Sequence, residues 1–390
     1  MSKSPTSEPL RRSVIVAATA FVVLGLAESG IGPAWPSISD DFGRPVADLG
    51  TLLGLGLGGY ATSSALSGRI LRRLDLGGTL VAAAVLSLCG VVLYVVGASW
   101  LQVLLAAITL GSGGGLLDSA LNAHAAHRFT PGAMNLLHAG FGVGATLGPI
   151  LVAGALELGN GWRAAYVVIA IAQTALVVVL MRQRKAWVAI AAPAPRTSRL
   201  RFDSVVAVSL AMFFLYTGIE VATGQWSFTV LTESRGLATG QAGAWVAAYW
   251  GGLTAGRLGL SAVATRLPPR LILTLSMAGT LAGTVLFWWD PAGRGVWGLP
   301  VAGLSLAGVF PTLVSLTPQR LGVERTTSIV GYQLAAASLG AAAVPWTIGR
   351  VIGATSLEAV GPALALSAIA MTAMNALLDR VASSPRGAAG

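Results

Sequence analysis

Charge is scarce in this chain, and that scarcity excludes most ordinary folds. Asp, Glu, Lys and Arg supply 10% of its 390 residues, against about 25% in soluble domains. A water-soluble protein of this length would have no polar coat. Lysine is almost missing: Lys3 and Lys185 are the two, and neither follows a glycine. A phosphate-cradling G-x-x-x-x-G-K-[ST] loop is therefore excluded. One cysteine, Cys89, cannot form an intramolecular disulfide. Among three histidines, His124 and His127 stand three apart but have no third ligand nearby and have Arg128 beside them. They read as interfacial groups, not a metal site. No nucleophile elbow, zinc-helix motif or large soluble segment is present, so the chain is expected to be no enzyme and to use no cofactor or metal.

What is abundant is apolar and small. Hydrophobic residues make up 54% of the chain, mean hydropathy is +0.74, and there are 50 glycines. Glycine lets membrane helices approach closely. A bilayer core about 30 Å thick needs roughly 20 apolar residues per helix. Such runs predict helices 1 to 6 over 13–36, 47–69, 77–97, 101–123, 134–157 and 163–181. Helices 7 to 12 are predicted over 204–230, 239–262, 270–289, 296–317, 327–349 and 357–378. The expected domains are an N-terminal six-helix bundle over 1–181, a basic linker over 182–203 with Pro193 and Pro195, and a C-terminal bundle over 204–390. The first run is too long for a cleavable signal and contains Glu28 and Pro33.

Charge distribution tests the count. With both ends in the cytoplasm, twenty Lys+Arg lie inside and five (Arg44, Arg163, Arg235, Arg294 and Arg350) lie outside. That asymmetry follows the positive-inside rule. It assigns the net charge of +10 to loops beside anionic lipid rather than to a nucleic-acid groove. High Ala and Gly, with Arg over Lys, hints at a GC-rich bacterium, so the expected location is a bacterial cytoplasmic (inner) membrane.

The halves also resemble each other. Phe21 to Glu28 aligns with Phe213 to Glu220 at an offset of 192, and Gly68-Arg69 and Gly256-Arg257 each close a half's second helix. Duplicated halves with a site near the membrane midplane are a recurrent transporter plan. The competing explanation is chance likeness among low-complexity helices.

Three acids fall well inside apolar runs: Glu28 in helix 1, Asp118 in helix 4 and Glu220 in helix 7. A charge at the bilayer centre costs at least about 2.5–3.5 kcal/mol. Such groups face a cavity, pair, or hold a proton. In halves built from three-helix repeats, helices 1, 4, 7 and 10 are equivalent, which predicts that the three acids surround one water-accessible path. Desolvation favours the neutral carboxyl, which suits proton exchange. Alternatively, an acid here neutralises an arginine in a static core. Asp118 and Asn122, four apart, share a helical face. His138, Gln225, Trp226, Tyr332 and Gln333 are the further candidates for holding a polar solute, although aromatics at such positions also simply fill a core. Gly54 to Gly59 matches G-x-G-x-x-G, but inside a membrane helix it reads as packing.

Twelve helices in two halves joined by a basic linker resemble the major facilitator superfamily. Gly68-Arg69-Ile-Leu-Arg72-Arg73-Leu-Asp75-Leu-Gly-Gly78 resembles that superfamily's helix 2–3 loop, with Arg72 where the family usually has aspartate. Gly113 to Ala123, containing Asp118 and Asn122, is similar to the helix 4 signature of the fucose/glucose–proton symporters, with Ala123 in place of proline. Asn135 to Pro149, Tyr216 to Trp226 and Tyr249 to Arg257 are like their helices 5, 7 and 8. The resemblance implies proton-linked and sugar-binding roles for Asp118 and Asn122, and Ser29 as an alternative to Glu28 for the helix 1 acid position. Gly144-x-x-x-Gly148-Pro149 also resembles part of the helix 5 motif of proton antiporters that export drugs. The reading is a monomeric, proton-coupled carrier of a sugar or similar small solute by alternating access. An exporter of amphipathic compounds or a non-transporting sensor are the rivals. Expected partners are a small-molecule substrate, protons and the lipid bilayer.

Overall fold

The computed structural model describes residues 7–187, 203–263, 266–322 and 326–382. All regular structure among them is helical, as the bilayer demands, since helices satisfy their own backbone groups. Helix 1 runs Ser7–Ser29 and continues as Ile31–Asp41 beyond Gly30. Helices 2 and 3 are the arms of Leu49–Val96, meeting at Asp75. Helices 4, 5 and 6 are Trp100–Arg128, Pro131–Glu157 and Gly161–Arg182. Helix 7, Ser204–Thr229, ends in a π-turn, Val230–Ser234. Helices 8 and 9 are Thr239–Val263 and Pro269–Trp289. Helix 10 is Gly298–Leu306 plus Val309–Leu321, and helices 11 and 12 are Thr326–Ala354 and Val360–Ala382.

Among the described residues, ten segments are long and apolar enough to span a membrane. One, Val46–Val96, holds both helix 2 and helix 3. Helix 8, diluted by Gln241, Arg257 and several glycines, is the remaining member of the twelve. Of the expected linker, Arg184–Ala186 form a short 3-10 turn, and 188–202 lie outside the described residues.

Local chemistry sets the helix ends. Ser99 and Gln102 form a reciprocal capping box at helix 4, and the Thr130 hydroxyl caps helix 5 with Pro131 behind it. Asp75 breaks the long helix with φ 59° and ψ 178°. Its carboxylate accepts the Gly78 N–H at 2.6 Å, capping helix 3. The acid of the helix 2–3 loop thus lies three residues beyond Arg72, at Asp75, 3.8 Å from Arg184. Gly68, Arg69, Arg72 and Arg73 are exposed around it.

Two compact units emerge: 1–192 with 238–247, and 193–237 with 248–390. Glycine seams hold each together. In the first, Gly140, Gly144 and Gly148 on helix 5 lie against helix 1 so closely that Cβ atoms would strike the Ala18 and Val22 carbonyls and the Ser29 hydroxyl. Gly56 and Gly59, from the dinucleotide look-alike, face helix 4 at Ala107 and Ile108. In the second unit Gly340 on helix 11 meets the Phe214 carbonyl, and Gly303 on helix 10 meets that of Tyr249. Helix pairs 1–5 and 2–4 of one unit therefore correspond to 7–11 and 8–10 of the other. Outward-facing side chains are apolar, among them Leu101, Ile171, Leu339 and Leu366, as lipid contact requires.

Each unit also carries an ion cluster at matching helix ends. In the first, Asp41, at the end of helix 1, pairs with Arg163 at the start of helix 6 and accepts the Trp162 indole N–H at 2.8 Å. Arg163 also donates to the Gly97 carbonyl that follows helix 3. In the second, Arg235 beyond helix 7 pairs with Glu358 before helix 12 at 2.8 Å and donates to the Phe287 carbonyl of helix 9 at 2.8 Å. The places correspond and the signs are reversed.

The seams give a direct test. Gly111→Leu, where a Cβ would collide with the Gly56 carbonyl, should cost about 1–3 kcal/mol or more by overpacking. Gly54→Leu, with open space around it, should cost little. Thermal unfolding of the purified variants in detergent measures both.

Candidate functional site

The polar interior of the first unit is built around helix 4. Three consecutive glycines there face three different helices. A Cβ at Gly113 would meet Ser87 of helix 3, one at Gly115 would meet Tyr60 of helix 2, and one at Gly114 would stand 3.2 Å from the Glu28 carboxylate of helix 1. The absence of side chains on all three faces draws the neighbouring helices onto helix 4. One turn further on is Asp118. Its carboxylate accepts the Asn122 amide at 2.8 Å, and the Tyr60 hydroxyl lies within its electrostatic reach. Glu28 and Asp118 lie within electrostatic reach of each other. Beside them the hydroxyls of Ser64 and Ser119 are hydrogen-bonded across helices 2 and 4.

The second unit holds its own polar cluster, on helices 7 and 8. One Glu220 oxygen receives an Arg257 guanidinium N–H at 3.3 Å, and the other receives the Tyr216 hydroxyl. The Tyr249 hydroxyl donates to the Glu220 backbone carbonyl at 2.7 Å. The Glu220 side chain is 12% exposed and that of Arg257 33%. Arg257, expected beside the loop motif, thus reaches the interior.

The other candidates divide. Gln333 is fully buried; its amide donates to Ser209 at 2.8 Å, and its carbonyl accepts the Thr317 hydroxyl at 3.2 Å. Trp226 is also fully buried, and its indole N–H donates to the Pro345 carbonyl at 3.2 Å, tying helix 7 to helix 11. Gln225 is buried nearby, whereas Tyr332 is 46% exposed. His138 lies edge-on to Phe21, with ring centroids 5.8 Å apart. His124 packs against Phe129 and Trp187. Tyr60, Ser64, Ser119, Tyr216 and Tyr249 join these clusters without having been sequence candidates. Tyr216 was within reach of sequence reasoning, standing four residues before Glu220 on one helical face. Tyr60 and Tyr249 precede the Gly-Arg pairs of their halves by nearly equal distances.

Two helical units, each with charge buried among apolar spans, mark a polytopic membrane protein of the transporter class. The Major Facilitator Superfamily model matches residues 17–345, and the chain belongs to that superfamily, whose members are transporters and not enzymes. Glucose/mannose transporter GlcP of Bacillus subtilis is 22% identical over 87% of this chain and 88% of its own. Bypass of stop codon protein 6 of Saccharomyces cerevisiae is 23% identical over 90% of this chain and 78% of its own. Sodium-dependent glucose transporter 1 of Xenopus laevis is 31% identical, but over 47% of this chain and 37% of its own. Among solved structures, the superfamily transporter FucP in its outward conformation has a TM-score of 0.63 at 15% identity, covering 97% of this chain and 100% of its own. A mutant form of peptide transporter POT gives 0.70 at 11%, covering 95% of each chain.

Gln333→Leu separates structure from binding. Stranding the Ser209 hydroxyl, while Thr317 keeps its bond to the Leu313 carbonyl, should cost about 1–3 kcal/mol, visible as a lower unfolding temperature. Tyr332→Ala should leave that temperature unchanged. A Gln333→Leu protein of full stability would show that the amide is not needed to hold helices 7, 10 and 11.

Proposed function

We propose that this protein is a proton-coupled secondary transporter of a sugar or similar small polar solute, exposing its binding groups to one side of the membrane at a time. The observation that carries the reading is the pair of carboxyl groups, Glu28 and Asp118, brought together inside one apolar bundle. Two carboxylates in such surroundings repel, and one proton shared between them relieves the repulsion. Asp118 accepts the Asn122 amide, Glu28 lies against Gly114 one turn earlier on the same helix-4 face, and the travelling proton is shared between these two acids. Gain or loss of that proton changes the local charge by one unit and can bias a two-state equilibrium.

Asn122, Ser64 and Ser119 offer donors and acceptors to solute hydroxyls beside the same acids. The names of the Bacillus subtilis and Xenopus laevis relatives support a hexose-like solute. The exporter reading draws on Gly144-x-x-x-Gly148-Pro149, and both glycines are accounted for by the close approach of helix 1. The basic asymmetry of the loops supports cytoplasmic ends, and the Ala-, Gly- and Arg-rich composition supports a bacterial inner-membrane location.

The test is uptake of labelled hexoses and 6-deoxyhexoses into proteoliposomes under an imposed pH gradient, with a sodium gradient as the parallel arm. Proton-driven accumulation of at least one solute is expected, reduced about 10²-fold or more by Asp118→Asn or Glu28→Gln, within the range assigned to a positioned proton-transfer group. Undiminished gradient-driven accumulation in both variants, or dependence on sodium alone, would overturn the proton reading.

A further inference from the structure

Duplication has left an acid at one place in both halves, Glu28 in helix 1 and Glu220 in helix 7, yet their surroundings have diverged. Glu28 lies over Gly114 and faces a second carboxyl, Asp118. Glu220 faces a guanidinium. Both of its oxygens are engaged, one by Arg257 and one by the Tyr216 hydroxyl, and its backbone carbonyl is held by Tyr249.

The groups acting on this pair come from both elements concerned: Tyr216 on helix 7, and Tyr249 and Arg257 on helix 8. Helices 10, 11 and 12, which also pack on helix 7, carry their charges near their ends. There Arg320 bonds Asp379 and Glu358 bonds Arg235, while Arg350 and Tyr332 belong to helix 11.

We propose that Arg257 stands where a transported proton would stand on Glu220, so that Glu220, unlike Glu28, carries no proton with the solute. This builds on the proton-coupled reading above and specifies it: Arg257 is the positioning residue that removes Glu220 from the proton count. A fixed cation and a mobile proton both cancel a buried carboxylate, but the cation cannot leave with the solute. A proton arriving on Glu220 would leave a neutral acid beside a guanidinium whose charge it no longer offsets, and the Arg257 contact disfavours that state.

The test is infrared difference spectroscopy of the full-length protein in lipid nanodiscs, titrated through the neutral range and read at the carbonyl stretch of protonated carboxyl groups. The wild type should show a titrating band that Glu28→Gln or Asp118→Asn removes and Glu220→Gln leaves intact. Arg257→Gln should add one protonated carboxyl per chain, lost again in Arg257→Gln/Glu220→Gln, and Arg257→Lys should add none. Loss of a titrating band in Glu220→Gln alone, or no added band in a folded Arg257→Gln protein, overturns the proposal. Should Arg257→Gln fail to fold, the Glu220→Gln comparison decides by itself. A wild type with no titrating carboxyl at Glu28 or Asp118 defeats the proton-coupled reading instead, and the added band in Arg257→Gln still judges Arg257.

Discussion

A carboxyl group among membrane helices has to be cancelled by a proton, a cation or a ring of donors, because the surrounding lipid and apolar side chains offer none. That requirement organises the interior of this protein. The first unit sets the Asn122 amide and the Tyr60 hydroxyl about Asp118. The second meets the requirement with an arginine and two tyrosines.

Close approach is what the glycines supply. Helices in lipid gain nothing from expelling water between them, so they adhere through dispersion contacts that grow as backbones near each other. Gly113, Gly114 and Gly115 show how packing and chemistry become one feature. The bare faces of helix 4 also let the Glu28 carboxylate and Tyr60 lie against Gly114 and Gly115, one turn before Asp118. A side chain at Gly114 would alter the distance between the acids as surely as it would alter the seam.

Much of this is legible in the sequence, and the limits have physical causes. Run length sets the twelve helices because bilayer thickness is fixed, and Asp118 with Asn122 is readable because helical spacing is local. Glu28 and Glu220 stand out because acids are so rare here. The partners are not legible: whether Tyr60 meets Asp118, or Arg257 meets Glu220, depends on how each helix is rotated about its axis, which pattern alone leaves free. The Gly-Arg context of Arg257 points to a loop motif, since nothing in that dipeptide records the reach of its side chain toward helix 7. Trp226 and Gln333 look like solute ligands because they are polar and sit in apolar runs, yet their polar atoms are bonded to neighbouring helices, a tertiary fact. Asp75 marks the opposite case. Arg72 draws the eye as the departure from a family pattern, while the Asp75-x-x-Gly78 spacing already describes a helix cap.

Comparison of the halves indicates which features are constrained by place and which by sign. At the helix ends, Asp41 with Arg163 corresponds to Arg235 with Glu358, the acid and base having exchanged helices. An ion pair that only fastens one helix end to another is indifferent to which side carries the positive charge. The interior acids differ from this: position and sign are the same in helices 1 and 7, and it is the partner that differs. Had Glu220 been a mere fastening, inversion or loss would have been open to it as it was at the ends. With Arg257 beside it, the Glu220 carboxylate has its charge met within its own unit.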